Sequence, residues 1–137
     1  MKIDDIYKQV QELYLDVPFP QWDHRLRKKN LSYEILRYRY MGMEEKLNGA
    51  HVLDVGCGTL NRTIMAAKYF NFKSLTGLDG STKSLEIAEN ISKEEGYNNF
   101  TPIQGNLFDM PFEDEKFDAV VSWGVLHHTP EPFKGLK

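Results

Sequence analysis

The feature that most constrains this chain is the run His51-Val52-Leu53-Asp54-Val55-Gly56-Cys57-Gly58-Thr59-Leu60. It begins as a short apolar strand and ends as a glycine-rich turn, with a helical pattern following. Glycines at the end of a strand let bare backbone approach a ligand, as α/β proteins do with nucleotide-like molecules. Two glycines alone select no ligand. Later segments must supply the other walls of the same site.

The chain after residue 50 alternates between strand and helix patterns. The first strand, His51 to Val55, leads to a helix expected from Asn61 to Phe70, with Ile64, Met65, Ala67 and Tyr69 turned inward. A second strand, Ser74 to Asp79, precedes a helix with Ser81 as its N-cap and Gly96 as its stop. Leu85, Ala88 and Ile91 form its apolar stripe. A third strand is expected near Phe100 to Gly105 and a fourth from Phe117 to Trp123, separated by an acidic loop from Pro111 to Lys116. Such alternation predicts a parallel sheet with ligands beyond the carboxyl ends of its strands.

Residues 1–49 read as a helical cap on a domain formed by residues 50–137. The spacing of Ile3, Ile6, Tyr7, Val10, Leu13 and Tyr14 predicts a helix from Asp4 to Leu15, broken by Pro18 and Pro20. A second helix is expected from Asn30, as N-cap, to Asn48-Gly49, with Leu31, Ile35, Tyr38 and Met41 on one face. Between them, Trp22 to Lys29 is basic and partly aromatic. It suits either a contact for an anionic substrate or RNA, or a solvated segment over the sheet edge or ligand mouth. The second reading is favoured, because 17 basic and 20 acidic side chains leave a net charge of −3 and no strongly basic groove.

No apolar run approaches the roughly 20 residues needed to cross a bilayer. Cys57 is the only cysteine, so no intrachain disulfide can form and a reducing, cytoplasmic setting is expected.

Read together, the strand ends describe one site. Asp54 sits beneath Gly56 and Gly58, and Asp79 closes the second strand, where a carboxylate can accept hydrogen bonds from both hydroxyls of a ribose. The third strand leads into Gln104-Gly105-Asn106-Leu107, and the fourth into Ser122-Trp123-Gly124-Val125-Leu126-His127-His128. With Val52 to Thr59, Gly77 to Ser81, Gln104 to Phe112 and Phe117 to His128 in this order, the chain resembles a class I S-adenosylmethionine-dependent methyltransferase of the ubiquinone/menaquinone-biosynthesis-like group.

The resemblance implies a Rossmann-like parallel sheet carrying strands one to four of a seven-stranded methyltransferase fold. It implies S-adenosylmethionine as cofactor and methyl transfer to a small-molecule acceptor. By position, Gly56, Cys57 and Gly58 would hold the methionine part and ribose, and Asp54 the methionine amino group. Asp79 would take the ribose hydroxyls, Gly80 would back the adenine, and Asn106 and Leu107 would meet the adenine edge. The backbone near Trp123 would orient the methionine end.

The sequence departs from the family pattern at three places. Asn106 stands where Asp is usual, losing a charge but keeping a polar contact. Leu60 stands where a third glycine is usual, and its bulk is expected to shift the following helix or narrow the pocket. The sequence also stops after the fourth strand, which would leave that strand an exposed edge for a protein partner to cover. Glu131-Pro132-Phe133-Lys134 reads as the first turn of a further helix.

Two rival readings carry forward: a cofactor- or partner-binding fragment without turnover, and an NAD(P)-binding Rossmann domain. The latter fingerprint needs a third glycine where Asn61 stands. His127 and His128 read as structural supports ahead of acid–base groups, and no metal-ligand set accompanies them. His24 and His51 read as structural, and Cys57 as a backbone position rather than a nucleophile. Asp109, Glu113, Asp114 and Glu115 read as a solvated loop face. Methyl transfer from a sulfonium releases a neutral leaving group, so alignment matters more than a base.

Overall fold

The computed structural model describes residues 2–136. Its elements run α1 (Ile3–Asp16), α2 (His24–Tyr40), α3 (Glu44–Leu47), β1 (His51–Val55), α4 (Ile64–Tyr69), β2 (Ser74–Asp79), α5 (Thr82–Glu94), β3 (Phe100–Gln104) and β4 (Ala119–Val121). Single 3₁₀ turns follow at Leu126–His128 and Lys134–Leu136.

The four strands form one parallel sheet in the order β3-β2-β1-β4. The chain moves outward from β1 through β2 to β3, then returns to lay β4 on the other side of β1. The reversal places a crevice at the carboxyl ends of β1 and β4, where open α/β sheets bind ligands. The glycine turn leaves β1 at this switch point. β1 is buried on both faces after His51, which fits a central parallel strand of continuous apolar character. Val52, Leu75 and Val121 join the larger core with residues of α2, α4 and α5. Leu53, Val55 and Leu78 point the other way, onto Ile103, Leu107, Phe112 and Phe117.

The expected strand–helix order is present, and several bounds move for identifiable reasons. The second helix starts at His24, not Asn30, because Asp23 Oδ1 accepts from Leu26 N at 2.9 Å and caps it. Asn30 lies inside the helix with its amide on Glu34 Oε1 at 3.2 Å. That helix ends at Tyr40, where Gly42 adopts φ +67°, and a separate turn, α3, follows before Gly49. The solvated reading of Trp22 to Lys29 fails at Arg27, which is 2% exposed. Met41 and Tyr69 are both 48% exposed, so neither is the inner contact expected of it. The fourth strand pairs only over Ala119–Val121, since Trp123 has already left the ladder and Phe117 packs edge-on against Phe112 at 5.1 Å.

On α1 the helix is present, and Val10 is half-buried while Leu13 is 60% exposed. The side chains of Ile3, Ile6, Tyr7 and Tyr14 lie outside the described residues. β4 is an edge strand of the described sheet, with Val120 57% exposed. The expected helix at Glu131 to Lys134 is a single 3₁₀ turn, Lys134–Leu136. Among the described residues, no helix is long and apolar enough to cross a membrane.

Candidate cofactor site

The glycine turn is bound to β2 by nearly every amide it has. Gly56 N and Cys57 N both donate to Leu78 O, at 2.7 and 3.1 Å. Gly58 N donates to Asp79 Oδ2 at 2.9 Å. Gly56 and Gly58 take φ of +72° and +53°, the left-handed region where a side chain is strained. Space forbids one as well: a Cβ on Gly56 would stand 2.4 Å from Val125 Cγ2, and one on Gly58 would stand 2.5 Å from Phe19 O. Cys57 turns away from solvent, and its Sγ would lie 2.7 Å from a Cβ on Gly77. Burial raises this thiol well above its usual pKa, which suits a packing role and not a nucleophile.

Leu60 follows with φ +67° and no solvent exposure. This is the backbone region that a glycine reaches at no cost. Its side chain joins the core with Ile64 and Leu85, so it does not narrow the cavity as expected. The space between Leu60 and Ile64 is filled by turns, and α4 begins only at Ile64, three residues later than expected.

Two carboxylates give the site its electrostatics. Asp54 is 3% exposed and accepts from the Thr63 hydroxyl. Burial pushes its pKa up to about 7, with the Thr63 bond opposing and the Asp79 charge adding. Asp79 accepts from Ser81 N at 2.9 Å through Oδ1 and from Gly58 N through Oδ2. Burial raises its pKa too, against the backbone N–H groups of Ser81 and Gly58. Each of its oxygens keeps a further lone pair for a ligand hydroxyl.

The nine residues expected at the site, Asp54, Gly56, Cys57, Gly58, Asp79, Gly80, Asn106, Leu107 and Trp123, surround a single cavity of about 400 Å³. This volume suits a small-molecule ligand, for which roughly 300–1,000 Å³ is typical. Asn106 Oδ1 accepts from Phe108 N at 2.9 Å, so part of its amide shapes its own loop. The Trp123 indole nitrogen and the Tyr38 hydroxyl are buried, and their rings meet edge-on at 5.9 Å. Neither has a partner in hydrogen-bond geometry among the described residues. The His127 and His128 rings meet at 3.9 Å, tilted by 43°, in the cavity's lining, and burial followed by the His127 charge lowers the His128 pKa. Among the described residues, no three His, Cys, Asp or Glu side chains gather in a way that could hold a metal.

Sequence reasoning missed part of the wall. Val10, Phe19, Pro20, Arg62, Thr63, Ser81 and Ser84 also line the cavity. Thr63 carries a weak signal, being a hydroxyl nine residues after Asp54 and just ahead of α4, and Ser84 lies three residues after the Ser81 cap. Phe19 and Pro20 carry none, because only the folded chain brings the proline segment across the turn.

With this geometry in view, comparison with known proteins decides the family. A methyltransferase-domain profile matches residues 46–137. The chain belongs to the class I S-adenosylmethionine-dependent methyltransferase family. It is 31% identical to the demethylmenaquinone methyltransferase of Bacillus pumilus over 135 residues, covering 98% of this chain and 53% of that one. It is 36% identical to the Listeria welshimeri enzyme of the same name over 90 residues, covering 65% and 38%. The chain thus spans about half the length of the curated relatives it matches. Among solved structures, it resembles a candidate sarcosine dimethylglycine methyltransferase from Galdieria sulphuraria (TM-score 0.70, 20% identity, 97% of this chain and 52% of that one). That likeness reaches through the N-terminal helices and speaks to fold alone. The [4+2]-cyclase SpnF shares the fold as well, at TM-score 0.60 and 24% identity over 72% of this chain and 38% of that one. Within this fold the reaction follows from the site.

Proposed function

We propose that this chain forms the S-adenosylmethionine-binding half of an enzyme that methylates a small-molecule acceptor. The observation that carries the reading is the amide accounting at the glycine turn. A dinucleotide pyrophosphate needs free backbone N–H groups and a helix N-terminus close behind them. Here Gly56, Cys57 and Gly58 spend their amides on Leu78 and Asp79, and two carboxylates ring the space. Although Arg62 also lines the cavity, the turn offers a phosphate no free amide, and the cradle suits a phosphate-free nucleoside that carries positive charge. NAD(P) is disfavoured on the same grounds.

Within this reading, Asp79 holds the ribose hydroxyls and Gly80 lies under the adenine. Asn106 and Leu107 meet the adenine edge, and Gly56, Cys57 and Gly58 carry the ribose and methionine. Asp54 pairs with the methionine ammonium, and the backbone at Trp123 orients that end. When bound, S-adenosylmethionine supplies a methyl group on a positively charged sulfur. The protein's task is to fix that methyl in line with an acceptor and exclude water. Because the relatives are named for demethylmenaquinone, a demethylated quinol is the acceptor class to try first.

Titration of S-adenosylhomocysteine against Asp79→Asn tests the ribose role. The neutral amide keeps the shape and loses two acceptor positions, so the dissociation constant should rise about tenfold or more. Unchanged affinity would contradict the assignment.

A further inference from the structure

The segment between α1 and α2 is tied to the glycine turn by buried hydrogen bonds. Pro20 O accepts from Asn61 Nδ2 at 2.6 Å and from the Thr59 hydroxyl. The same Nδ2 reaches Thr59 Oγ1 at 2.8 Å. On its other side, Asn61 Oδ1 accepts from Arg27 Nη1 at 3.1 Å, and this nitrogen also donates to Trp22 O at 2.8 Å. Arg27 is fixed in turn by Glu95 at 2.7 Å and Glu94 at 2.9 Å. Asn61, 1% exposed, therefore spends its acceptor on α2 and its donors on the proline segment and the turn.

This segment is a wall of the cofactor cavity. Phe19 and Pro20 line it, Phe19 O crosses directly over Gly58, and the Phe19 ring remains 54% exposed. A nucleoside lying along the turn would cover that ring.

We propose that residues 17–22 are a retaining strap for the bound cofactor, and that Asn61 is the positioning residue that holds the strap on the glycine turn. The proposal rests on the S-adenosylmethionine reading above. The chemistry makes Asn61 separable from the scaffold. In Asn61→Asp the oxygen facing Arg27 is kept and gains charge, while the donor facing Pro20 O becomes an acceptor. The α2 side of the latch survives, and the strap side is repelled.

The test measures S-adenosylhomocysteine dissociation from wild type and Asn61→Asp by displacement, with apo melting curves beside it. The expected result is dissociation about tenfold faster in the variant, with a loss of affinity that exceeds any change in apo melting. In wild type, hydrogen exchange at the Phe19, Gln21 and Trp22 amides should slow when S-adenosylhomocysteine binds. This second readout decides the matter if the variant does not fold. Unchanged dissociation in a folded variant, or strap exchange indifferent to the ligand, would overturn the strap while leaving the cofactor reading intact. Failure of wild type to bind S-adenosylhomocysteine would overturn both.

Discussion

At the scale of single residues, two positions carry opposed demands. Asp54 has a pKa raised to about 7, chiefly by burial. The folded protein therefore keeps its proton between pH 4 and 7 while the unfolded chain does not. Its contribution to stability falls as pH rises through that window, by on the order of 4 kcal/mol once the group is charged. A bound ammonium reverses the preference, so S-adenosylhomocysteine affinity should rise from pH 6 to pH 8. Asp54→Asn should flatten that rise, bind more weakly, and melt higher than wild type without ligand at pH 8. Titration and melting at the two pH values check all three. Leu60 shows a different conflict: a left-handed backbone costs a leucine roughly 1–3 kcal/mol, while its burial returns about 2–5 kcal/mol over alanine. Leu60→Ala keeps the strain and loses the packing. Leu60→Gly loses the packing but relieves the strain, so it should be the more stable of the two variants by about 1 kcal/mol in denaturant unfolding.

At the scale of elements, the join between α2 and α5 is a buried ion pair. Arg27 and Glu95 side chains are each 2% exposed, and His24 Nδ1 stands 2.8 Å from Glu95 Oε1. Burial pushes the Glu95 carboxyl up, but bonds from His24 and Arg27 outweigh it and hold the pKa below the ordinary value. Its stabilisation is present above the unfolded value near 4.5 and is lost as pH falls through the lower folded value. Arg27→Met leaves this carboxylate with only His24 and Lys68, the latter at 3.7 Å, and should cost about 3 kcal/mol at pH 7. The loss should shrink as pH falls through the lowered Glu95 value, and urea melts in a series of buffers from pH 7 downward measure the difference. This join also marks the limit of sequence reading. The strands, the Ser81 cap and the Gly96 stop follow from local pattern and were legible. The α2 bounds were not, because Asp23 and Asn30 are both good caps. Its buried face is Arg27, Glu34 and Tyr38, a polar stripe that hydrophobic periodicity does not register.

At the scale of the whole molecule, the order β3-β2-β1-β4 explains why residues from four strand ends share one cavity. Their types and chain order were readable, since each follows a strand with its own turn signal. The strap was not, because it depends on Arg27, Asn61 and Pro20 meeting from distant parts of the chain. β4 leaves one side of its ladder open in the described sheet, with Val120 57% exposed, and Phe133 and Leu136 further along the chain are 82% and 69% exposed. An open apolar edge favours strand-to-strand association. The 137-residue chain should therefore self-associate with rising concentration, and Val120→Lys should reduce it in sedimentation velocity.

The central claim is that the glycine turn, its amides already spent and its rim acidic, accepts a phosphate-free nucleoside. Parallel calorimetric titrations of the wild-type chain with S-adenosylhomocysteine and NADH test it most directly. Saturable one-to-one binding of S-adenosylhomocysteine with no heat from NADH is the predicted result. Binding of NADH, or of neither ligand by a folded protein, would contradict it.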